Sequence, residues 1–351
     1  MALALRGGGS HSAHAMKLTP LFLLALALPA LADDLTPRPA LGEIVKADPA
    51  LDALLAPDAK IEVLASGLNW SEGPVWSPEL GAVLFSDVPE NHILKWKEGE
   101  GMSVFLKPSG YTGLPPYSRE PGSNGLTLNA KGELCACEHG DRRVSVLTKG
   151  GGKRTLADNF EGKRLNSPND LCFDKAGNLY FTDPPSGLPK GPADKENRQL
   201  DWNGVYRVTP EGKITLLTKE MTFPNGIALR PDEKTLYLAQ SDGKAPLWKA
   251  FPVNADGTLG ASRVLADVTA MAQSGKYRGS CDGLKVDQQG NIWATGPGGV
   301  HIMTPEGKLL GRIECHMACG NCCFGDDGTT LYICADAFFV RVKTKVKGCG
   351  F

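Results

Sequence analysis

The sequence of 351 residues has almost no net charge, since 38 Lys and Arg stand against 39 Asp and Glu, a formal net charge of −1. This balance argues against broad electrostatic capture of nucleic acid or an anionic membrane surface. Long amphipathic helical segments are also missing, and the 42 Gly and 25 Pro would break them. The sequence has no G-x-S-x-G, G-x-x-x-x-G-K-[ST], G-x-G-x-x-G or H-E-x-x-H motif. Their absence argues against a serine hydrolase with a nucleophile elbow, a nucleotide-binding protein and a zinc protease. Small molecules or proteins are therefore the expected partners.

The only long apolar run is too short for a membrane span, which needs about 20 residues. Lys17 precedes an apolar stretch over 21–28, and Ala30-Leu31-Ala32 follows as a cleavage signal. We predict that 1–32 is an upstream extension joined to a secretory signal peptide. The mature chain is then exported, periplasmic or secreted, without stable membrane insertion. An uncleaved signal anchor is the alternative.

Beyond an acidic lead at 33–60 with some helical character, short strand patterns and turn signals alternate to the end of the chain. Six similar stretches each consist of a polar anchor, a strand, a tight turn and a second strand. They are spaced roughly 40 to 57 residues apart, as in four-stranded propeller blades. The stretches begin at Glu72, Asn124, Asn169, Asn225, Asp282 and Gly320.

This pattern predicts an all-β fold, a six-bladed β-propeller over 61–351 with a central divalent-metal channel. An N-terminal strand at 61–64 should close the ring by pairing with the last blade. Further strands are predicted at His92–Lys97, Arg143–Leu147, Gly204–Val208 and Gly299–Met303. A β-sandwich or two separate β domains is the less favoured alternative.

Innermost propeller strands line the channel, so the six anchors should converge at one mouth. Five carry side-chain oxygens and the sixth, Gly320, has no side chain. Such donors suit one hard divalent cation, expected to be Ca²⁺, with Mg²⁺, Mn²⁺ and Zn²⁺ as alternatives. Any single Asn-Gly or Asp-Gly pair could simply mark a turn. Five anchors in register favour metal binding.

Several segments resemble one known family. They are S-E-G-P at 71–74, C-E-H-G-D-R-R-V at 137–144, S-P-N-D at 167–170, G-N-L-Y-F-T-D-P-P at 177–185, F-P-N-G-I-A-L at 223–229 and C-D-G at 281–283. Together they are similar to the senescence-marker protein, gluconolactonase and luciferin-regenerating enzyme family. The resemblance covers nearly all of 61–351. It implies a six-bladed propeller with one divalent cation that hydrolyses sugar lactones and related esters.

Carried over by residue, the resemblance implies that Glu72, Asn225 and Asp282 are metal ligands. Asn169 matches a residue that contacts substrate or completes the coordination. Two positions depart from the family pattern. Ser167 stands where animal members have Arg, and Ser186 stands where many bacterial relatives have Tyr, so the substrate does not follow from the resemblance.

We predict that Asp282 is the general base, because a carboxylate beside the cation can deprotonate the attacking water. His139 is the second candidate, since an unperturbed imidazole has a pKa near 6.5. It could equally be a hydrogen-bonded loop residue. Asn124, Asn169 and Asp183 are the predicted substrate-binding residues, with a turn role as the alternative for Asp183.

Two other functions remain open at this level. A broader lactonase or arylesterase resembling paraoxonases would favour an apolar channel mouth, which Trp70, Trp202 and Phe223 could supply. A non-enzymatic ligand-binding propeller would hold the same cation for structural reasons. Long loops at 108–123 and 184–201 could be lids over the mouth or plain surface insertions. A monomer or dimer is expected.

Ten cysteines are present, and the sequence C-H-M-A-C-G-N-C-C at 315–323 has the spacing of a metal ribbon. No second C-x-x-C occurs, and Cys322 and Cys323 should point to opposite faces of a strand. We therefore favour a disulfide that involves Cys319 or Cys322 over a zinc site. Cys135 and Cys137 are expected to be buried on one face of a strand.

Overall fold

The computed structural model describes residues 38–351, and nearly all of their regular secondary structure consists of antiparallel strands. The strands form six sheets that follow one another along the chain, and within each sheet consecutive strands are hydrogen-bonded neighbours. This is a six-bladed β-propeller, as predicted. The signal peptide predicted within 1–32 lies outside the described residues.

The blades are numbered 1 to 6 in chain order from the first strand that lines the channel. The strands of blades 1 to 3 are Ser71–Ser77, Ala82–Asp87, His92–Lys97 and Gly101–Leu106; Ser123–Leu128, Leu134–Glu138, Arg143–Leu147 and Lys153–Ala157; and Leu171–Phe173, Leu179–Asp183, Gly204–Val208 and Ile214–Thr218. Those of blades 4 to 6 are Pro224–Leu229, Thr235–Gln240, Leu247–Pro252 and Arg263–Asp267; Leu284–Val286, Ile292–Gly296, Gly299–Met303, Leu309–Glu314 and Glu43–Lys46; and Asn321–Gly325, Thr330–Ala335, Phe338–Lys343 and Glu62–Ser66.

Little else is regular within 38–351. A two-stranded hairpin joins Asn159–Phe160 to Lys163–Arg164. The helical segments are the 3-10 turns Pro49–Ala53 and Gly191–Ala193 and the five-residue α-helix Thr269–Gln273. No helix in this range is long and apolar enough to cross a membrane.

The four additional strands expected from the sequence are confirmed. His92–Lys97, Arg143–Leu147, Gly204–Val208 and Gly299–Met303 are each the third strand of a blade. Their alternating apolar residues pack against the neighbouring blade, which is why the pattern was visible in the sequence.

The core is divided among the blades instead of forming one mass. Six clusters of buried apolar side chains fill the six spaces between neighbouring blades. Large rings supply much of this packing, as where Phe85 of blade 1 stacks on Phe339 of blade 6 with centroids 4.3 Å apart. Each blade therefore depends on both neighbours for burial, which stabilises the closed ring.

The lead differs from the expectation of helical character. Glu43–Lys46 pairs with Leu309–Glu314 and adds a fifth strand to blade 5, and only Pro49–Ala53 is helical. The Asp48 carboxylate accepts from the Ala50 N–H and caps this single turn. An unpaired blade edge offers backbone hydrogen bonds along its whole length, whereas a short isolated helix is marginal.

The following strand joins the two ends of the propeller. Glu62–Ser66 pairs antiparallel with Phe338–Lys343, the last strand of the chain, so blade 6 contains both N-terminal and C-terminal segments. The Arg341 guanidinium donates to the Glu62 carboxylate at 2.7 Å across this pair.

The predicted disulfide is not present: all ten cysteines are free thiols in this structure. Cys322 and Cys323 do point to opposite faces: Cys322 packs between blades 5 and 6, and Cys323 packs between blades 6 and 1. Cys135 and Cys137 are both buried between blades 2 and 3, as expected.

Candidate metal centre and active site

The anchors lie where the innermost strands depart from regular pairing. In blades 1, 2 and 4 the register of the first strand shifts between Glu72 and Val75, between Ser123 and Leu126, and between Pro224 and Ile227. Such β-bulges redirect side chains and are frequent next to active sites. In blades 3 and 5 the anchors Asn169 and Asp282 come just before the first strand begins.

Contacts between consecutive anchors run around the whole channel. The Gly125 N–H donates to the Asn169 carbonyl at 2.7 Å, and the Gly283 N–H donates to the Gly320 carbonyl at 2.7 Å. A Cβ on Gly73 would meet the Asn124 carbonyl, and a Cβ on Gly226 would meet the Asp282 carbonyl. The Thr182 hydroxyl links blade 3 to blade 4 by donating to the Asn225 carbonyl at 2.7 Å.

The circle closes where Gly320 of blade 6 meets Glu72 of blade 1. A Cβ built on Gly320 would lie 2.6 Å from Glu72 Oε1. The sixth anchor is thus a glycine because the carboxylate of the first anchor occupies the space of its side chain. We call the six anchors Glu72, Asn124, Asn169, Asn225, Asp282 and Gly320 the anchor ring.

The two carboxylates of the anchor ring are electrostatically unfavourable next to each other. Burial raises the pKa of Glu72 to about 8; the Gly73 N–H opposes this shift, and the charge of Asp170 adds to it. Burial also raises the pKa of Asp282 well above its usual range, with a further contribution from the Glu72 charge. A bound cation would relieve both effects.

Amide oxygens in the ring are left without partners. Asn124 Oδ1 and Asn225 Oδ1 are buried and accept no hydrogen bond, although Asn225 Nδ2 donates to the Ser241 hydroxyl at 2.8 Å. Buried polar atoms normally find a partner. Carboxylate and amide oxygens are what Ca²⁺ and similar ions bind, so this donor set fits a hard divalent cation.

The amide donors are essential to this assignment. Within 38–351 no group of three or more His, Cys, Asp or Glu side chains is placed to hold a metal. The anchor ring contributes only two carboxylates, and a cation there has to take its remaining oxygens from Asn side chains or water. The Cys-rich stretch at 315–323 is likewise not a metal ribbon in this structure.

His139 lies beside the ring, but its environment differs from the expected one. Its backbone N–H donates to the Gly122 carbonyl, and its ring packs against Gly187. Burial lowers the pKa of His139 to about 4, so the premise of an imidazole that titrates near neutrality is wrong. Nδ1 contacts the Glu120 carbonyl at 3.2 Å and Nε2 has no partner. A neutral His139 with Nδ1 protonated therefore presents Nε2 as a hydrogen-bond acceptor.

Asp183 supports the segment that carries Asn169. Its Oδ2 accepts from the Asn166 N–H at 2.8 Å, while Oδ1 is buried without a partner. Burial raises the pKa of Asp183 to about 7, opposed by the Asn166 N–H and the Arg142 charge. Asn169 itself is 4% exposed, and its N–H donates to the Thr182 carbonyl at 2.9 Å.

Glu120 was not singled out in the sequence. It lies in the loop between blades 1 and 2, where the Glu120 carbonyl contacts His139, and its charge contributes to raising the pKa of both Glu72 and Asp282. Burial raises the pKa of Glu120 as well. No pattern in this Pro-rich loop pointed to it, because only tertiary folding brings Glu120 near Glu72 and Asp282.

The fold and the anchor ring define a class of protein: six-bladed propellers with a ring of oxygen donors at one mouth of the channel. Residues 70–336 match the family described as SMP-30/Gluconolactonase/LRE-like region. The chain belongs to this family.

Relatives agree with this assignment. The chain is similar to the gluconolactonase of Zymomonas mobilis, with 40% identity over 313 residues that cover 88% of each protein. It is also similar to the diisopropyl-fluorophosphatase of Loligo vulgaris, with 26% identity and coverage of 70% of this chain and 78% of that one.

Solved structures show the same fold. A gluconolactonase from Xanthomonas campestris superposes with a TM-score of 0.75 and 32% identity, covering 87% of this chain and 97% of that one. Regucalcin from Agrobacterium tumefaciens, described as a calcium-binding protein, has a TM-score of 0.61, 18% identity and coverage of 82% and 94%.

Proposed function

We propose that the protein hydrolyses a sugar lactone to the corresponding aldonic acid and depends on one divalent cation, Ca²⁺, in the anchor ring. The observation that carries the proposal is the closed ring of oxygen donors, with two carboxylates that repel each other and two unpartnered amide oxygens. The similarity to gluconolactonases supports the lactone as substrate.

Glu72, Asn169, Asn225 and Asp282 would hold the cation, and Asn124 Oδ1 is a further donor within the same ring. Bound there, the cation supplies Lewis-acid polarisation of the lactone carbonyl.

Asp282 is the proposed general base. It is partly exposed, unlike Glu72, which is 2% exposed, and a reacting water can therefore approach it. The oxygen of this water bonds to the carbonyl carbon while its proton passes to the Asp282 carboxylate. The ring C–O bond then breaks, and the same proton passes to the released ring oxygen, which restores the carboxylate.

Asn124, Asn169 and Asp183 are the proposed substrate-binding residues. His139, whose buried Nε2 has no partner, is the second candidate for proton transfer. With a pKa lowered to about 4, His139 has no advantage over a carboxylate as a proton acceptor, and it is fully buried, whereas Asp282 is partly exposed.

A broader arylesterase activity has less support. Of the aromatic residues expected at an apolar mouth, Trp202 packs with the cluster between blades 2 and 3 and donates its Nε1–H to the Tyr206 hydroxyl at 3.0 Å. Lys163 and Lys219 lie over the Trp202 ring, 5.9 and 5.0 Å from its centroid. This ring is already engaged in packing and is a poor candidate for binding an aryl ester.

Activity assays on Asp282→Asn test the proposal, with Asp58→Asn at an exposed position as the matched control. Substrates should include gluconolactone, an acyl-homoserine lactone and phenyl acetate, with Ca²⁺, Mg²⁺, Mn²⁺ or Zn²⁺ added to metal-free protein. We expect preferred hydrolysis of gluconolactone and at least a hundredfold lower kcat in Asp282→Asn. Unchanged turnover in that variant, or full activity without any cation, would contradict the proposal. A protein that binds the cation without hydrolysing any ester would instead be a binding propeller.

We also propose that the mature protein is exported to the periplasm or secreted, as the signal sequence within 1–32 predicts. Fractionation of producing cells, with N-terminal sequencing of the mature chain, tests this. Cleavage after Ala32 supports it, and a cytoplasmic protein that retains 16–32 contradicts it.

A further inference from the structure

A second polar layer lies directly below the anchor ring in the channel. The residues that follow the six anchors are four glycines together with Asp170 and Asn321. A Cβ on Gly125 would lie 2.6 Å from Asp170 Oδ1, and a Cβ on Gly283 would lie 2.0 Å from Asn321 Cγ. The glycines therefore leave the channel open for two polar side chains.

These two side chains hold each other in place across the channel. Asn321 Nδ2 donates to Asp170 Oδ2 at 3.3 Å, and Asn321 Oδ1 accepts from the Cys322 N–H at 2.9 Å. The other oxygen of Asp170 accepts from the Leu171 N–H at 2.9 Å. Asp170 is 1% exposed and Asn321 is also 1% exposed, so a carboxylate and an amide oxygen are fixed in the protein interior.

Lys285, on the first strand of blade 5, supplies a positive charge to this layer. Its Nζ donates to Asn321 Oδ1 at 3.2 Å and to the Leu284 carbonyl at 3.1 Å, and lies 3.9 Å from Asp170 Oδ2. Burial lowers the pKa of Lys285, but the Asp170 charge and the nearby thiols of Cys322, Cys323 and Cys172 together outweigh it, so the pKa is raised overall. The side chain, 27% exposed, also lines a cavity of about 600 Å³ at the opposite mouth.

We infer that the Lys285 ammonium occupies the place of a second cation in the channel and restricts the channel to one divalent ion, the ion of the anchor ring. The inference rests on the proposed function only in that the ring binds this ion. Asp170 and Asn321 offer oxygen atoms of the kind that bind hard cations. The Lys285 ammonium donates a hydrogen bond to Asn321 and forms an ion pair with Asp170.

The charges of the described channel residues explain why the ammonium is needed. Besides Glu72 and Asp282 in the ring, the channel holds Asp170, which is 1% exposed and lies 3.9 Å from Lys285 Nζ. The Glu120 carboxylate is a further negative charge near the ring. One divalent ion compensates the two ring carboxylates, and Lys285 compensates Asp170. An uncompensated buried carboxylate would be strongly unfavourable, so the channel would need another cation if Lys285 were neutral.

Calcium titration calorimetry on the chelator-treated full chain tests the inference through stoichiometry. We expect one Ca²⁺ per wild-type chain and two per Lys285→Met chain, because Met keeps much of the side-chain length without the charge. The double variant Lys285→Met/Asp170→Asn should return to one ion, and Lys285→Arg, which keeps the charge, should also bind one. If circular dichroism shows that Lys285→Met is unfolded, the same titration is done with Lys285→Gln.

One ion in Lys285→Met overturns the inference even if the affinity changes, and so do two ions in the wild type. A second ion that persists in the double variant overturns it as well, since that ion would not be bound by Asp170. If the wild type binds no Ca²⁺, the metal assignment of the proposed function fails separately. In that case, one Ca²⁺ bound by Lys285→Met and lost in the double variant Lys285→Met/Asp170→Asn still supports the role of Lys285. No Ca²⁺ bound by Lys285→Met overturns the inference.

Discussion

Replacing Gly320 by Ala tests the anchor ring at its tightest contact. The backbone of Gly320 has no positive φ, so Ala is conformationally acceptable there. The added Cβ, however, would lie 2.6 Å from Glu72 Oε1, 2.7 Å from Glu72 Cδ and 3.0 Å from the Ser71 carbonyl oxygen. These distances are shorter than carbon atoms tolerate, and the Glu72 carboxylate is the part that can move.

Displacing one of only two ring carboxylates should weaken binding of the cation, whose oxygen ligands need to lie about 2.3 to 2.6 Å from the ion. Mutations next to metal ligands typically cost about 10- to 100-fold in affinity, equivalent to about 1.4 to 2.7 kcal/mol. We therefore expect a Ca²⁺ dissociation constant raised by that factor in Gly320→Ala, measured by calorimetry, with a parallel loss of lactonase activity at limiting Ca²⁺.

Gly243→Ala is the matched control, because a Cβ there meets no atom within 4 Å and the backbone again has no positive φ. Its Ca²⁺ affinity should equal that of the wild type. If Gly320→Ala is folded and binds Ca²⁺ with wild-type affinity, the argument that Gly320 makes room for a metal-binding Glu72 is refuted.

Two further predictions concern stability. Chelation should lower the melting temperature and added Ca²⁺ should restore it, since an ion at about 100 times its dissociation constant contributes about 2.7 kcal/mol to folding; identical melting curves would indicate that no ion binds. Burial lowers the pKa of His301 to about 4, so the unfolded chain, with a histidine pKa near 6.5, binds this proton first and stability is lost as the pH falls from 6.5 towards 4. For this one group the loss at pH 5 is about 2 kcal/mol. The free energy of unfolding, measured with urea, should differ between pH 7.5 and pH 5 by about this much less in His301→Gln than in the wild type. An equal pH dependence of the free energy of unfolding in both proteins would contradict the assignment.

Much of the architecture was predictable because a propeller repeats its local patterns. The third strands, such as Arg143–Leu147, alternate between two buried faces, and each anchor precedes or interrupts a channel strand. Such features depend on residues close together in the chain. The lead was less predictable, since Glu43–Lys46 is a strand only because it pairs with Leu309–Glu314 far along the sequence.

The candidate site divides in the same way. Oxygen-bearing residues in register were enough to predict one ring of five candidates, and the family resemblance implied that Glu72, Asn225 and Asp282 are the metal ligands among them. The lowered pKa of His139 could not be predicted from the sequence, because it depends on burial beneath loops from other parts of the chain. Glu120 was missed for a related reason, since its position near the ring is set by loop folding.

The number of blades and the five oxygen-bearing anchors could be predicted from the sequence alone, because they follow from local periodicity and from residue chemistry. Long-range packing was needed to show that Glu72 fills the Gly320 position, and that Asp170 meets Asn321, 151 positions away, with Lys285 beside them. The physical reason is that closing the ring places distant segments within a few ångströms of one another. Steric fit and charge compensation at those distances are not encoded in any local pattern.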